Sequence, residues 1–201
     1  ISSGMHHSCA LLDNKTIQCW GYGAYGQMGR SDCTNCASDR PIPVSNITTA
    51  TQVSSGQYHT CAVLEDKTVQ CWGLGNNGVL GIGSSDNSSV PVTVSNITDA
   101  TLVRAGKQHS CAVLSDGSIQ CWGLNSYGQL GNGTTENSSV PVTVKNINNA
   151  TSVSLGEHYT CALLSNGSIK CWGHNSSGSL GQGDDDNRHD DSLIPIKVKR
   201  F

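Results

Sequence analysis

The sequence predicts an all-β chain built from four copies of one unit of about 50 residues, and three observations carry that prediction. Thirteen residues recur four times: "CALLDNKTIQCWG" from Cys9, "CAVLEDKTVQCWG" from Cys61, "CAVLSDGSIQCWG" from Cys111 and "CALLSNGSIKCWG" from Cys161. Trp20, Trp72, Trp122 and Trp172 fall 52, 50 and 50 residues apart, so the copies fill a single repeat-built domain as units 1–52, 53–102, 103–152 and 153–201. No stretch sustains a 3.6-residue period, while short apolar alternations broken by turn residues recur throughout. Strands of this length at this period suit a propeller blade or a coil of a β-solenoid.

Each element of the unit follows from its residues. "HTCAVL" (His59–Leu64) and "VQCW" (Val69–Trp72) read as a hairpin, "PVTV" (Pro91–Val94) as a third strand, and "ATLV" (Ala100–Val103) as the lead into a fourth. Counting across the hairpin sets Cys111 opposite Cys121, Ala112 opposite Gln120, Val113 opposite Ile119 and Leu114 opposite Ser118. Ser115, Asp116 and Gly117 are left as a three-residue loop, which commonly ends in a left-handed residue where glycine costs least. Gly167 takes that place in the fourth unit, whereas Lys15 and Lys67 take it in the first two at a cost of about 1 kcal/mol each.

The register decides the chemistry of the cysteines. Opposed residues in a non-hydrogen-bonded antiparallel pair stand about 4.5 Å apart, within disulfide range. Four bonds are expected: Cys9–Cys19, Cys61–Cys71, Cys111–Cys121 and Cys161–Cys171. Each closes a ten-residue loop and contributes about 2–3 kcal/mol. Zinc would want C-x-x-C knuckles or added histidines, and this spacing scatters the pairs. Cys33 and Cys36 do form a C-x-x-C, inserted in the first unit without the βαβ context of a redox motif, and a local disulfide is expected there too. Ten cysteines, an even number, point to an oxidising compartment.

Composition sets further bounds. Lys and Arg total 12 against 15 Asp and Glu, with no basic cluster, so nucleic acid is not an expected partner. No apolar run is long enough to span a membrane as a helix. The chain starts at Ile1 without a visible leader, as expected if a leader has been processed or the chain is part of a longer one. N-x-[ST] occurs nine times, at Asn14, Asn46, Asn87, Asn96, Asn132, Asn137, Asn149, Asn166 and Asn175, where this composition gives about three or four by chance. All fall in expected turns, so N-linked glycans and a secreted, extracellular location are expected.

"VSSGQYHTCAVL" (Val53–Leu64), "VRAGKQHSCAVL" (Val103–Leu114) and "WGLNSYGQLGNG" (Trp122–Gly133) resemble repeats of the regulator of chromosome condensation family. The shared pattern is G-x-x-H-[ST], alternating apolar residues, a D-G turn, then W-G-x-N-x-x-G-Q-L-G, and it covers nearly the whole chain. The resemblance implies propeller-type blades of four short antiparallel strands, commonly seven to a ring. Four units would then close as an unusual ring, remain an open array, or belong to a longer chain. The family's guanine-nucleotide exchange activity is not implied, because no matching loops are present.

The resemblance also bears on the candidate site residues. It implies a structural hydrogen bond from His7, His59 and His109 to backbone, with Tyr159 in that place in the fourth unit and His158 one residue early. The tryptophans are expected to pack between blades. Asp184, Asp185, Asp186, Asp190 and Asp191 form an acidic loop that is a weak candidate for calcium, though without EF-hand spacing. No other cofactor is expected. No nucleophile with an adjacent base recurs, and "GYGAYGQMG" (Gly21–Gly29) lacks the lysine of a phosphate loop, so no enzyme is expected. Near-identical units with unblunted ends favour a structural subunit of an extracellular fibre or coat that self-associates; a module binding a protein or carbohydrate through its loops is the alternative.

Overall fold

The computed structural model describes residues 1–33, 36–183 and 190–199. Four separate four-stranded antiparallel sheets follow one another along the chain, and a single 3₁₀ turn at Asn76–Gly78 is the only helical element among the described residues. The first blade holds β1 (Ser2–Ser3), β2 (His7–Leu11), β3 (Ile17–Gly23) and β4 (Cys36–Pro43). The second holds β5 (Ala50–Ser55), β6 (His59–Leu64), β7 (Val69–Gly73) and β8 (Ser88–Thr93). The third holds β9 (Ala100–Ala105), β10 (His109–Leu114), β11 (Ile119–Gly123) and β12 (Ser138–Thr143). The fourth holds β13 (Ala150–Leu155), β14 (Tyr159–Leu164), β15 (Ile169–Gly173) and β16 (Ser192–Lys197). In each sheet the strands pair in chain order.

The hairpin register is the one that counting across the cysteines gives: Cys111 faces Cys121, Ala112 faces Gln120 and Val113 faces Ile119. All four cross-strand pairs are disulfides with Cα atoms 4.1 Å apart, and Cys33 is bonded to Cys36. The loop closes by Gly117 N–H donating to Leu114 O at 3.0 Å, with Gly117 at φ +78° and Lys15 and Lys67 each at +64° in the same place. The outermost strands carry Pro41, Pro91, Pro141 and Pro195. A residue without an N–H is tolerated at a sheet edge and guards it against further pairing.

All three internal boundaries differ from the sequence division. Ala50–Ser55 pairs with the hairpin that follows it, so the cut at 52/53 falls inside β5, and 102/103 and 152/153 fall inside β9 and β13. The "ATQV" segment is the innermost strand of its own blade rather than the end of the preceding one.

The core lies between blades. Val63, Val69 and the Cys61–Cys71 disulfide of the second blade pack against Ala100, Val103, Ala112 and Trp122 of the third. The same arrangement recurs between the first and second blades and between the third and fourth. A lone blade therefore has little interior of its own, and stacking supplies it.

Candidate functional site

Each junction between blades is built from the same four polar groups. At the third, Trp172 Nε1–H donates to Gln129 O at 2.9 Å, and Thr160 Oγ1 donates to that carbonyl at 2.9 Å. His109 Nε2 bonds Thr160 Oγ1 at 2.9 Å. The second junction repeats this with Trp122 on Val79 O at 2.8 Å, Ser110 on the same carbonyl at 3.2 Å, and His59 on Ser110 at 2.9 Å. The first uses Trp72 on Gln27 O at 3.1 Å and His7 on Thr60 at 2.8 Å. The histidine partner is therefore a hydroxyl of the next blade, not a backbone group of its own. Only the arc of the array brings residues 51–53 positions apart into contact.

Burial fixes the state of these imidazoles. His59 is pushed down to about 3 by burial and, less, by the neighbouring His7 and His109. His109 falls to about 3 by burial and the nearby His158, and His7 to about 4 by burial and His6. All three are neutral at pH 7. Nδ1 of His7 and of His109 has no partner among the described residues. A buried lone pair is cheaper to leave bare than a buried N–H, which places the proton on Nε2, donating to the hydroxyl.

The tryptophans behave as junction residues where a junction exists. Trp72, Trp122 and Trp172 are 0% exposed, each against a glycine of the preceding blade. A Cβ on Gly81 would lie 2.9 Å from Trp122 Nε1. Trp20, in the first blade of the described residues, is only half-buried. The fourth blade shows the reverse. Ser179 is exposed where Gln27, Val79 and Gln129 are buried, and Gly181 meets Val198 but no indole. Leu163 and Ile169 are 43% and 45% exposed, where Val63 and Val69 of the second blade are 3% and 0%. Among the described residues, the fourth blade thus presents a socket without an indole and the first blade a tryptophan without a socket.

A second feature lies on the loop face. In every blade the residue after Trp-Gly donates its N–H to the carbonyl of the residue before the junction histidine or its replacement: Tyr22 to His6, Leu74 to Tyr58, Leu124 to Gln108, and His174 to His158. Tyr25 and Tyr127 reach from this row to the next blade, with ring centroids 5.2 Å from Tyr58 and 5.0 Å from His158. In these otherwise uniform units, the three columns change chemistry from blade to blade. Aligning the four units by these columns, rather than seeking common motifs, is the sequence signal that would have found them.

Among the sequons, Asn14, Asn46, Asn87, Asn96, Asn137 and Asn166 are exposed, and Asn132 and Asn149 are half-buried. Asn175 is a correction. It is 2% exposed and its Oδ1 accepts the Leu180 N–H at 3.0 Å, so a glycan has no room there in the folded chain. Of the acidic loop, Asp184, Asp185 and Asp186 lie outside the described residues. Asp191 Oδ1 accepts the Asn175 N–H at 2.8 Å, as Asn87 and Asn137 accept from Gly75 and Asn125 in their blades. No cluster of three metal-type side chains occurs among the described residues, and no helix there is long and apolar enough to cross a membrane.

Four blades joined by a repeated tryptophan and histidine latch define an open β-propeller arc. The sequence model of the RCC1-like domain matches residues 1–201, and the chain belongs to that family. It is 38% identical over 85 residues to the ultraviolet-B receptor UVR8 of Arabidopsis thaliana, covering 42% of this chain and 19% of the relative. Human WBSCR16 superposes with a TM-score of 0.84 at 24% identity, over 98% of this chain and 52% of that one. Prp20p of Saccharomyces cerevisiae gives 0.82 at 22%, over 98% and 49%. The chain thus spans about a fifth of its curated relative and about half of each solved structure.

Proposed function

We propose that this chain is a non-enzymatic, secreted glycoprotein and a structural subunit of an extracellular assembly, in which the first blade of one copy docks on the fourth blade of the next. The observation that supports this reading is that, within these 201 residues, the exposed face of the first blade and that of the fourth are complementary. Trp20 lacks a glycine-lined socket, while Ser179 O, Gly181 and Val198 form one that lacks its tryptophan. The three internal junctions are worked examples of the contact. The five disulfides and the exposed sequons support the extracellular setting.

Analytical ultracentrifugation of the 201-residue chain, from micromolar to submillimolar concentration, tests this. Mass rising with concentration is expected, together with its loss in a Leu163→Asp, Ile169→Asp double variant, whose substitutions sit on exposed positions. A monomer throughout the range would sink the reading. A binding module is the second reading, favoured by one observation: the variable columns gather on a single loop face.

A further inference from the structure

His6, Tyr22, Tyr25 and Tyr58 gather at the first junction on the loop face, and a cavity of about 390 Å³ opens among His6, Tyr22 and Tyr58. The size is within the range of small-molecule sites. Tyr22 and Tyr25 are 42% and 38% exposed. Such aromatic exposure is unusual in a chain with only 5% aromatic residues.

The arrangement selects among ligands. Tyr22 is inclined at 71° to His6 and 59° to Tyr58, with centroids 6.2 and 6.5 Å apart. Tyr25 meets Tyr58 at 65°. His6 and Tyr58 lie near parallel, at 28° with centroids 5.7 Å apart, and Tyr22 stands across both of them. His6, Tyr22 and Tyr58 line the cavity from two directions, and an aromatic face carries the negative side of the ring quadrupole. No lysine or arginine hydrogen-bonds or stacks on these four rings among the described residues. A group that is both apolar at its surface and positively charged satisfies such walls, and a cation within about 6 Å of several centroids is attracted by each.

We propose that the His6, Tyr22 and Tyr58 cavity is a binding site for a small methylated ammonium cation of the choline type. The site draws on ring geometry alone and is independent of how the arcs associate. The sister blades supply substitutions already compatible with the local backbone. Leu74 and Leu124 stand where Tyr22 does, and Gln108 stands where Tyr58 does.

Calorimetric titration with choline tests the proposal, run beside the neutral alcohol in which carbon replaces the quaternary nitrogen. Saturable choline binding is expected, at least about tenfold tighter than the neutral analogue. Tyr22→Leu and Tyr58→Gln are each expected to weaken choline about fivefold without moving the thermal unfolding midpoint, while Leu124→Ala leaves binding unchanged. Absence of saturable binding, equal affinity for the neutral analogue, or undiminished affinity in both tyrosine variants would overturn it.

Discussion

Gly117 and Gly167 have the same role in the hairpin loop and the same φ of +78°, yet they are not equally replaceable. A Cβ on Gly117 would lie 2.8 Å from Asn149 Cα, a backbone atom, whereas nothing lies within 4 Å of one on Gly167. Gly167→Ala should therefore cost only the left-handed penalty of about 1 kcal/mol, and Gly117→Ala about 2–3 kcal/mol. Urea denaturation of the two variants measures the difference, and equal costs would show that the next blade's link yields to the methyl. The glycine itself was legible in the sequence, because loop length and a D-G pair specify a left-handed residue. The unequal environment was not. Asn149 lies 32 residues away, in the link between the third and fourth blades, and only blade stacking brings it to the turn. The same holds for the histidines: their burial and repetition can be read in one unit, but the hydroxyl each one meets belongs to the next.

At the scale of the blade, the cysteine spacing specified the register because a disulfide tolerates only a narrow Cα separation. The strand grouping was less legible. "ATQV" follows its predecessor by a short link, and nothing local says that Ala50 pairs forward with Leu64. Junctions, once formed, set the value of a residue by what faces it. Trp122→Ala removes a fully buried indole and leaves the Val79 carbonyl with only Ser110, so a loss of about 3–5 kcal/mol is expected. Trp20→Ala, at the chemically equivalent but unfaced position, should cost less than about 2 kcal/mol. Chemical denaturation of both reports the contrast. A comparable loss at Trp20 would mean that the indole acts within its own blade rather than across the junction.

At the scale of the whole arc, the three latch histidines act together, because each junction holds one buried neutral imidazole. Their ordinary value is 6.5, and in the fold they stand at about 4 for His7 and about 3 for His59 and His109. Below pH 6.5 the unfolded chain takes up protons that the folded chain refuses, so stability is fully present above pH 6.5 and falls as the solution is acidified towards the folded values. The slope is about 1.4 kcal/mol per pH unit for each histidine, and about 4 for the three together between pH 6 and 4. A domain stable by about 5–15 kcal/mol should lose much or all of that margin by about pH 4. Asp66 and Asp116, held below the usual 3.8 chiefly by Thr68 and Ser118 hydroxyls, withdraw their contribution only as pH falls below that value, so the two windows are separable. Tryptophan fluorescence in urea at a series of pH values measures the slope. His59→Gln, neutral throughout, should lower stability at pH 7 by about 1–2 kcal/mol through the weakened latch and reduce the acid slope by about a third. An unchanged slope would mean that His59 takes up its proton equally in the folded and unfolded chain and so carries none of the acid dependence.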